Sequence, residues 1–195
     1  MFIEPVTIVG KYAQLEPLSE AHLSDLQAAA NDGELWNLWY TSVPHPDKMA
    51  ENIAFRLGQR EIEIMMPFVV RRLSDGIIVG CTSFANIVSE HRRVEIGYTW
   101  YARTAQRTPL NTEVKFMMLT HAFEDKQCIA VEFMTHWMNH QSRAAIERLG
   151  AKLDGVLRNH RIGLNGELRD TCAYSIISSE WPSVKAHLQY LLARS

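Results

Sequence analysis

Two segments of this chain carry residue types and spacings that can do chemistry. The first is Gln106-Arg107-Thr108-Pro109-Leu110-Asn111-Thr112 and the second, further along, is Asn139-His140-Gln141-Ser142. Glu95 to Ala102, rich in β-branched and aromatic residues, reads as a strand entering the first segment, and Thr112 to Glu124 reads as a helix leaving it. A loop between a strand and a helix leaves backbone amides free at the helix N-terminus, where a phosphate or pyrophosphate is received. Gln106, Arg107, Thr108, Leu110, Asn111 and Thr112 are therefore candidate contacts for a nucleotide-like ligand. Pro109 has no N–H, so the loop offers one amide fewer, and binding is either weakened or compensated by Arg103 and Arg107. Asn139 and Ser142 suit a helix cap with its first turn, a contact to the same ligand, or both. Glu95, His136, His160 and Asp170 are the titratable candidates for a base. Glu95 alternates with Gly97 and Thr99 on one strand face, so it either meets a substrate or solvates a sheet surface. His136 stands at a strand end, where a histidine takes a proton near neutral pH or holds a backbone group.

The bounds on such a site come from composition. With 195 residues, 47% hydrophobic and 22% charged, the chain has length for one domain, residues 1–195, and a real core. A net charge of −2, with Lys and Arg dispersed, gives no support for nucleic acid as a partner. Cys81, Cys128 and Cys172 are far apart in apolar runs, which fits reduced cytosolic thiols. No pair has metal-ligand spacing, so no metal is expected. Met1 to Lys11 lacks the pattern of a signal peptide, and no apolar run reaches the roughly 18 residues of a membrane helix. No membrane partner is expected, and the expected location is the cytoplasm.

The elements that must position these residues follow from periodicity and turn chemistry. Tyr12 to Pro17 is a short strand; Ser19 caps a helix through Leu23, Leu26 and Ala30 that ends near Asn31-Asp32-Gly33. Pro46 opens a second helix, to about Arg60, after an aromatic loop containing Trp36, Trp39 and Tyr40. Those three aromatics either pack the first two helices or wall an acceptor pocket. Met66 to Leu73 and Ile77 to Val88 form a hairpin about Asp75-Gly76, and Arg93 to Ala102 completes a meander. The helix from Val114 to Phe123 is apolar almost all round and must be packed on most sides. Ile129 to Thr135 is the next strand, followed by a helix with Ser142, Ala145, Ile146 and Leu149 on one face and Gly150 as its stop. Gly155 to Ile162 and Leu168 to Ile177 form a last hairpin about Asn165-Gly166. A closing helix runs from Ser179-Glu180-Trp181-Pro182 to about Leu192.

This order resembles the GNAT N-acetyltransferases, a family with Q/R-x-x-G-x-G/A between its fourth strand and third helix. Gln106 matches the first position, while Pro109 and Asn111 stand at the glycine and Gly/Ala positions. Asn139-x-x-Ser142, Ala145 and Leu149-Gly150-Ala151 look like the family's pantetheine-holding segment. Gly155-Val-Leu-Arg158, Arg169-Asp170, Tyr174-Ser175-Ile176 and Glu180-Trp181-Pro182 resemble the branch around the ribosomal-protein alanine N-acetyltransferases.

The resemblance implies an α/β (α+β) GNAT acyltransferase fold: a mixed, mostly antiparallel sheet with helices on both faces. It implies acetyl-CoA as cosubstrate and an amine acceptor, either a protein N-terminus or a small molecule. A backbone amide between Trp100 and Arg103, that of Tyr101 or a neighbour such as Ala102, is implied to polarise the thioester carbonyl. Ile146 occupies the place of the tyrosine acid of some relatives, and Ser142 is the implied substitute. Glu95 and His136 flank the expected splay and are both retained as the base, acting through water. Two alternatives stand beside this reading: a CoA-binding sensor or interaction protein with little turnover, and an acyltransferase using another acyl-CoA or acceptor. Trp181 and Leu188 of the closing helix, together with apolar strand ends, are expected to support a homodimer.

Overall fold

The computed structural model describes residues 1–41, 43–163 and 166–194. Its strands are β1 Ile8–Val9, β2 Ala13–Pro17, β3 Met65–Arg72, β4 Ile78–Val88, β5 Arg93–Tyr101, β6 Ala130–His136, β7 Lys152–Ile162 and β8 Leu168–Ile177. They form one eight-stranded sheet in the order β1-β2-β3-β4-β5-β6-β8-β7. Every neighbouring pair is antiparallel except β5 with β6. The helices are α1 Leu23–Asn31, α2 Met49–Glu61, α3 Leu110–Thr120, α4 His140–Arg148 and α5 Trp181–Ala193. The expected α/β class and mixed sheet are present, with β1 added by its pairing to Leu15 and Gln14.

Two neighbouring residues of β4 show why helices cover both faces. Thr82 accepts from Lys115 of α3 at 3.3 Å, while Ser83 accepts from Arg56 of α2 at 3.1 Å. Successive strand residues point to opposite faces, so α2 and α3 lie on opposite sides. On the first side, Leu26, Ala29 and Ala30 of α1 and Met49 and Ile53 of α2 bury their apolar stripes. On the other, α3 buries Val114, Met118 and Leu119 completely and runs on into a π-helical turn, His121–Asp125.

Local turn chemistry explains the boundaries. The Asp75 carboxylate accepts the Ile77 amide at 3.1 Å and closes the β3–β4 turn. Pro67, which has no N–H to give, is tolerated in β3 because β2 ends at Pro17; only its carbonyl is used, by the Leu18 amide at 3.0 Å. Helix α4 stops where expected, with Gly150 at φ 100°. Of the turn expected at Asn165-Gly166, Asn165 lies outside the described residues.

The expectation that Trp181 and Leu188 serve a dimer is corrected. Trp181 stacks on Phe123 at 5.2 Å and donates its ring N–H to Glu124 at 2.8 Å, and Leu188 is fully buried. Both belong to this chain's own core.

Helix α3 is anchored by a carboxylate. Glu113 accepts the amides of Lys11 and Tyr12 at 2.7 Å each and of Ala13 at 2.9 Å. That joins the start of the helix, and hence the loop before it, to the β1–β2 turn. Glu113→Ala strands three amides and should cost roughly 2–4 kcal/mol. Urea unfolding checks this; a loss below about 1 kcal/mol would show that the turn finds other partners.

Candidate active site

β5 and β6 pair only at Arg93↔Ala130, Val94↔Val131 and Glu95↔Glu132. Beyond those residues the strands part, while β6 stays with β8 as far as His136↔Thr171. On β5 the departure coincides with a bulge: Tyr98 has φ 53°, and the register with β4 slips between Cys81 and Ser83. A positive φ at an aromatic residue costs roughly 1–3 kcal/mol and persists only where its surroundings hold it. Arg56 does so. Buried under β5, it donates to the Tyr98 carbonyl and to Ser83 Oγ, both at 3.1 Å, and to Asn52 Oδ1 at 2.9 Å, with its guanidinium 5.6 Å from the Tyr98 ring centre.

The gap opens a cleft of about 930 Å³. At one end stands the loop before α3. The amides of Asn111 and Thr112 have no partner among the described residues, and Asn111 Oδ1 is buried without one. Arg107, at φ 58°, and Thr108 and Pro109 line the same end. Gln106 lines the cleft too, and its side chain donates to the Tyr101 carbonyl at 3.0 Å, tying the loop to β5. Leu110 does not reach the cleft: its side chain is buried in the core and borders a smaller hollow of about 360 Å³.

Trp100 and Tyr101 line the gap, with Trp100 Nε1 and the Tyr101 hydroxyl buried and unpartnered. Burial pushes the Tyr101 phenol far above its ordinary value. Ala102 is not on the cleft, and its amide is occupied by the Val79 carbonyl at 2.7 Å, which removes it as a carbonyl-polarising donor.

Asn139 caps α4 by accepting the Ser142 amide at 3.0 Å. Ser142 lines the cleft, and among the described residues its hydroxyl has no partner. Ile146 lies one turn further along the same wall, and Arg148 ties α4 to α3 by donating to Thr112 Oγ1 at 3.1 Å.

The two base candidates have different surroundings. Glu95 is buried, and its carboxylate accepts from Asn86 at 2.6 Å and folds over Gly97, where a Cβ would stand 2.3 Å from Oε1. Burial raises its pKa, opposed by the Asn86 bond and by Arg161 and Arg169. Thr99 is not on the same face as expected, because the bulge turns it to the α3 side, where it bonds Thr82 at 2.7 Å. His136 is also buried; its Nδ1 accepts the Met138 amide at 3.0 Å, Nε2 is buried and unpartnered, and Trp39 packs edge-on at 5.1 Å. Burial, then Arg169, lowers its pKa. Tyr40 lines the cleft, whereas Trp36 packs against the core. His160 is exposed, and Asp170 is engaged by Arg158 at 2.5 Å and the Asn159 amide at 2.8 Å.

Two cleft residues had no assigned role. Lys115 is buried on α3 and donates to Thr99 Oγ1 at 2.7 Å; burial brings its pKa down to about 7. A lysine set into the apolar run Val114–Leu119 of α3 is the available signal. Arg169, on β8, also lines the cleft.

Residues 13–152 match the family model described as the acetyltransferase (GNAT) domain. The chain belongs to the GNAT acetyltransferase family. It is 32% identical over 113 residues to YdaF of Bacillus subtilis (strain 168), provisionally named a ribosomal N-acetyltransferase. That match spans 58% of this chain and 61% of YdaF. A GCN5-related N-acetyltransferase from Brucella melitensis superposes with a TM-score of 0.87 at 26% identity, over 98% of this chain and 87% of that one. RimJ of Mycobacterium smegmatis, solved with CoA-disulfide, shares the fold with a TM-score of 0.79 at 21% identity, over 97% and 96%.

Lys115 makes a test of this GNAT site's electrostatics. Its folded pKa, about 7, lies below the unfolded value, so the unfolded chain binds more protons between the two and stability rises with pH across that window. Lys115→Met should remove that rise and raise stability at neutral pH by about 1 kcal/mol or more. Urea titrations from pH 6 to about 10 check it; an unchanged slope in the variant would contradict the assignment.

Proposed function

We propose that this chain is an N-acetyltransferase that passes the acetyl group of acetyl-CoA directly to a primary amine. The supporting observation is the unpaired gap between β5 and β6, with free α3 amides at one end; Glu95, the last paired residue of β5, is buried beside the gap on the opposite sheet face and does not itself line the cleft. The pyrophosphate fits the Asn111 and Thr112 amides and the Arg107 side chain. The carrier arm fits between the strand edges, where β5 and β6 no longer bond each other. Its thioester then lies at the bulge formed by Tyr98, Thr99 and Trp100.

The amine lone pair attacks the thioester carbonyl carbon, the C–S bond breaks, and the electron pair leaves on sulfur. Ser142 Oγ, unpartnered in the protein, donates to the departing thiolate. The surplus proton of the amine moves through water to Glu95. His136 is a poor base here. Its Nδ1 accepts a backbone amide, so the neutral ring carries its proton on Nε2, which can donate to a carbonyl and cannot accept.

Calorimetry with acetyl-CoA in chelator, followed by thiol release with a panel of amines, tests the proposal. Binding with no transfer to any amine would leave the sensor reading. Ser142→Ala should lower kcat about tenfold with affinity for acetyl-CoA nearly unchanged, because the hydroxyl acts on charge that develops in the transition state. Glu95→Gln should lower kcat at least about 100-fold. The base works ionised, so activity rises with pH through the raised Glu95 pKa; that limb should vanish in Glu95→Gln and persist in His136→Gln. Loss of the limb only in His136→Gln would reverse the assignment.

A further inference from the structure

Arg161 of β7 and Arg169 of β8 stand directly opposite each other in the antiparallel ladder. Like charges in that position repel and weaken the pair of strands, so their presence calls for a compensating anion. Among the described residues neither guanidinium is in a contact ion pair, although other arginines are, such as Arg158 with Asp170; Glu95 and Glu167 attract Arg169 only from a distance. Arg169 lines the cleft, and its Nε is buried without a hydrogen-bond partner.

Register places this charge on the acceptor side. Thr171 faces His136 across the β6–β8 ladder, and Arg169 is two residues before Thr171 on the same face. The Arg169 side chain therefore leaves β8 about 7 Å along the strand from the residue that faces the histidine. Glu95 attracts Arg161 and Arg169 without reaching either. Burial and the neighbouring Arg161 both weaken the hold of Arg169 on its proton, as in a cation awaiting a counter-ion.

We infer that the acceptor amine carries an anionic group, a carboxylate or phosphate within a few bonds of the reacting nitrogen, which Arg169 binds with Arg161 behind it. This rests on the amine-acetyltransferase reading. A planar guanidinium with an unpaired Nε–H suits two-point recognition of either oxyanion, and such charge-assisted bonds are the strong ones.

The test compares α-amine acceptors matched except for charge: peptides opening with Glu against Gln, and with phosphoserine against Ser. The unmodified chain should favour the anionic member of at least one pair by about 10- to 100-fold in kcat/KM. Which pair shows the larger ratio identifies carboxylate or phosphate as the anion. In Arg169→Gln, and separately in the exposed Arg161→Gln, that ratio should fall toward one, with acetyl-CoA affinity read in parallel as the check on folding. Equal use of charged and neutral acceptors by the unmodified chain overturns the inference while leaving amine acetylation standing. Transfer to no amine at all overturns both. A ratio unchanged in both variants assigns the preference to other groups and overturns the role of the arginines.

Discussion

The site depends on one break in hydrogen bonding: β5 and β6 run side by side for three residue pairs and then separate. Among the described residues they are the one parallel pair, and each is followed by a helix, α3 after β5 and α4 after β6. Both helix N-termini therefore arise at the open end of the gap, the place where ligands bind in sheets with parallel neighbours. The same break supplies unpaired strand edges for an extended ligand and free α3 amides for an anion. Arg56 keeps the break in place, because its bonds to the Tyr98 carbonyl and Ser83 hold β5 in the bulged path while β4 remains paired on the other side.

Burial dominates the electrostatics around that break. Glu95 and Lys115 extend from opposite faces of the sheet region beside the bulge, and in each the loss of water is the largest influence on its proton. The carboxyl is shifted up and the amine down, so both lose charge more readily than on a surface. A carboxylate shifted in this sense binds a passing proton better, which suits the removal of a proton from an incoming ammonium. Arg161 and Arg169 oppose the shift of Glu95, so the groups proposed to recognise an acceptor also favour the ionised form of the proposed base.

Much of this architecture was legible in the residues. The period-3.6 stripes of α1 and α2, the Asp75-Gly76 turn and the Gly150 stop each follow from local chemistry that tertiary structure did not override. The loop and α4 cap were legible for the same reason, since Gln106, Asn111, Asn139 and Ser142 occupy strand-to-helix junctions. Alternation failed at Thr99 because a bulge inserts a residue and flips all that follow, and nothing in Tyr98 announces a positive φ. Ala102 failed as an amide donor because its partner, Val79, is distant in sequence and only register brings it near. The closing helix illustrates a different limit: Trp181 and Leu188 look the same in sequence whether they bury against Phe123 or against a second chain.

The most direct measurement is a crystal structure of the chain with acetyl-CoA. The account predicts the pyrophosphate against the Asn111 and Thr112 amides, the carrier arm between β5 and β6, and the acetyl group beside the Tyr98 bulge on the way to Glu95. Acetyl-CoA seated elsewhere, for instance in the smaller hollow beside Leu110, or a gap closed by renewed pairing of β5 with β6, would contradict it.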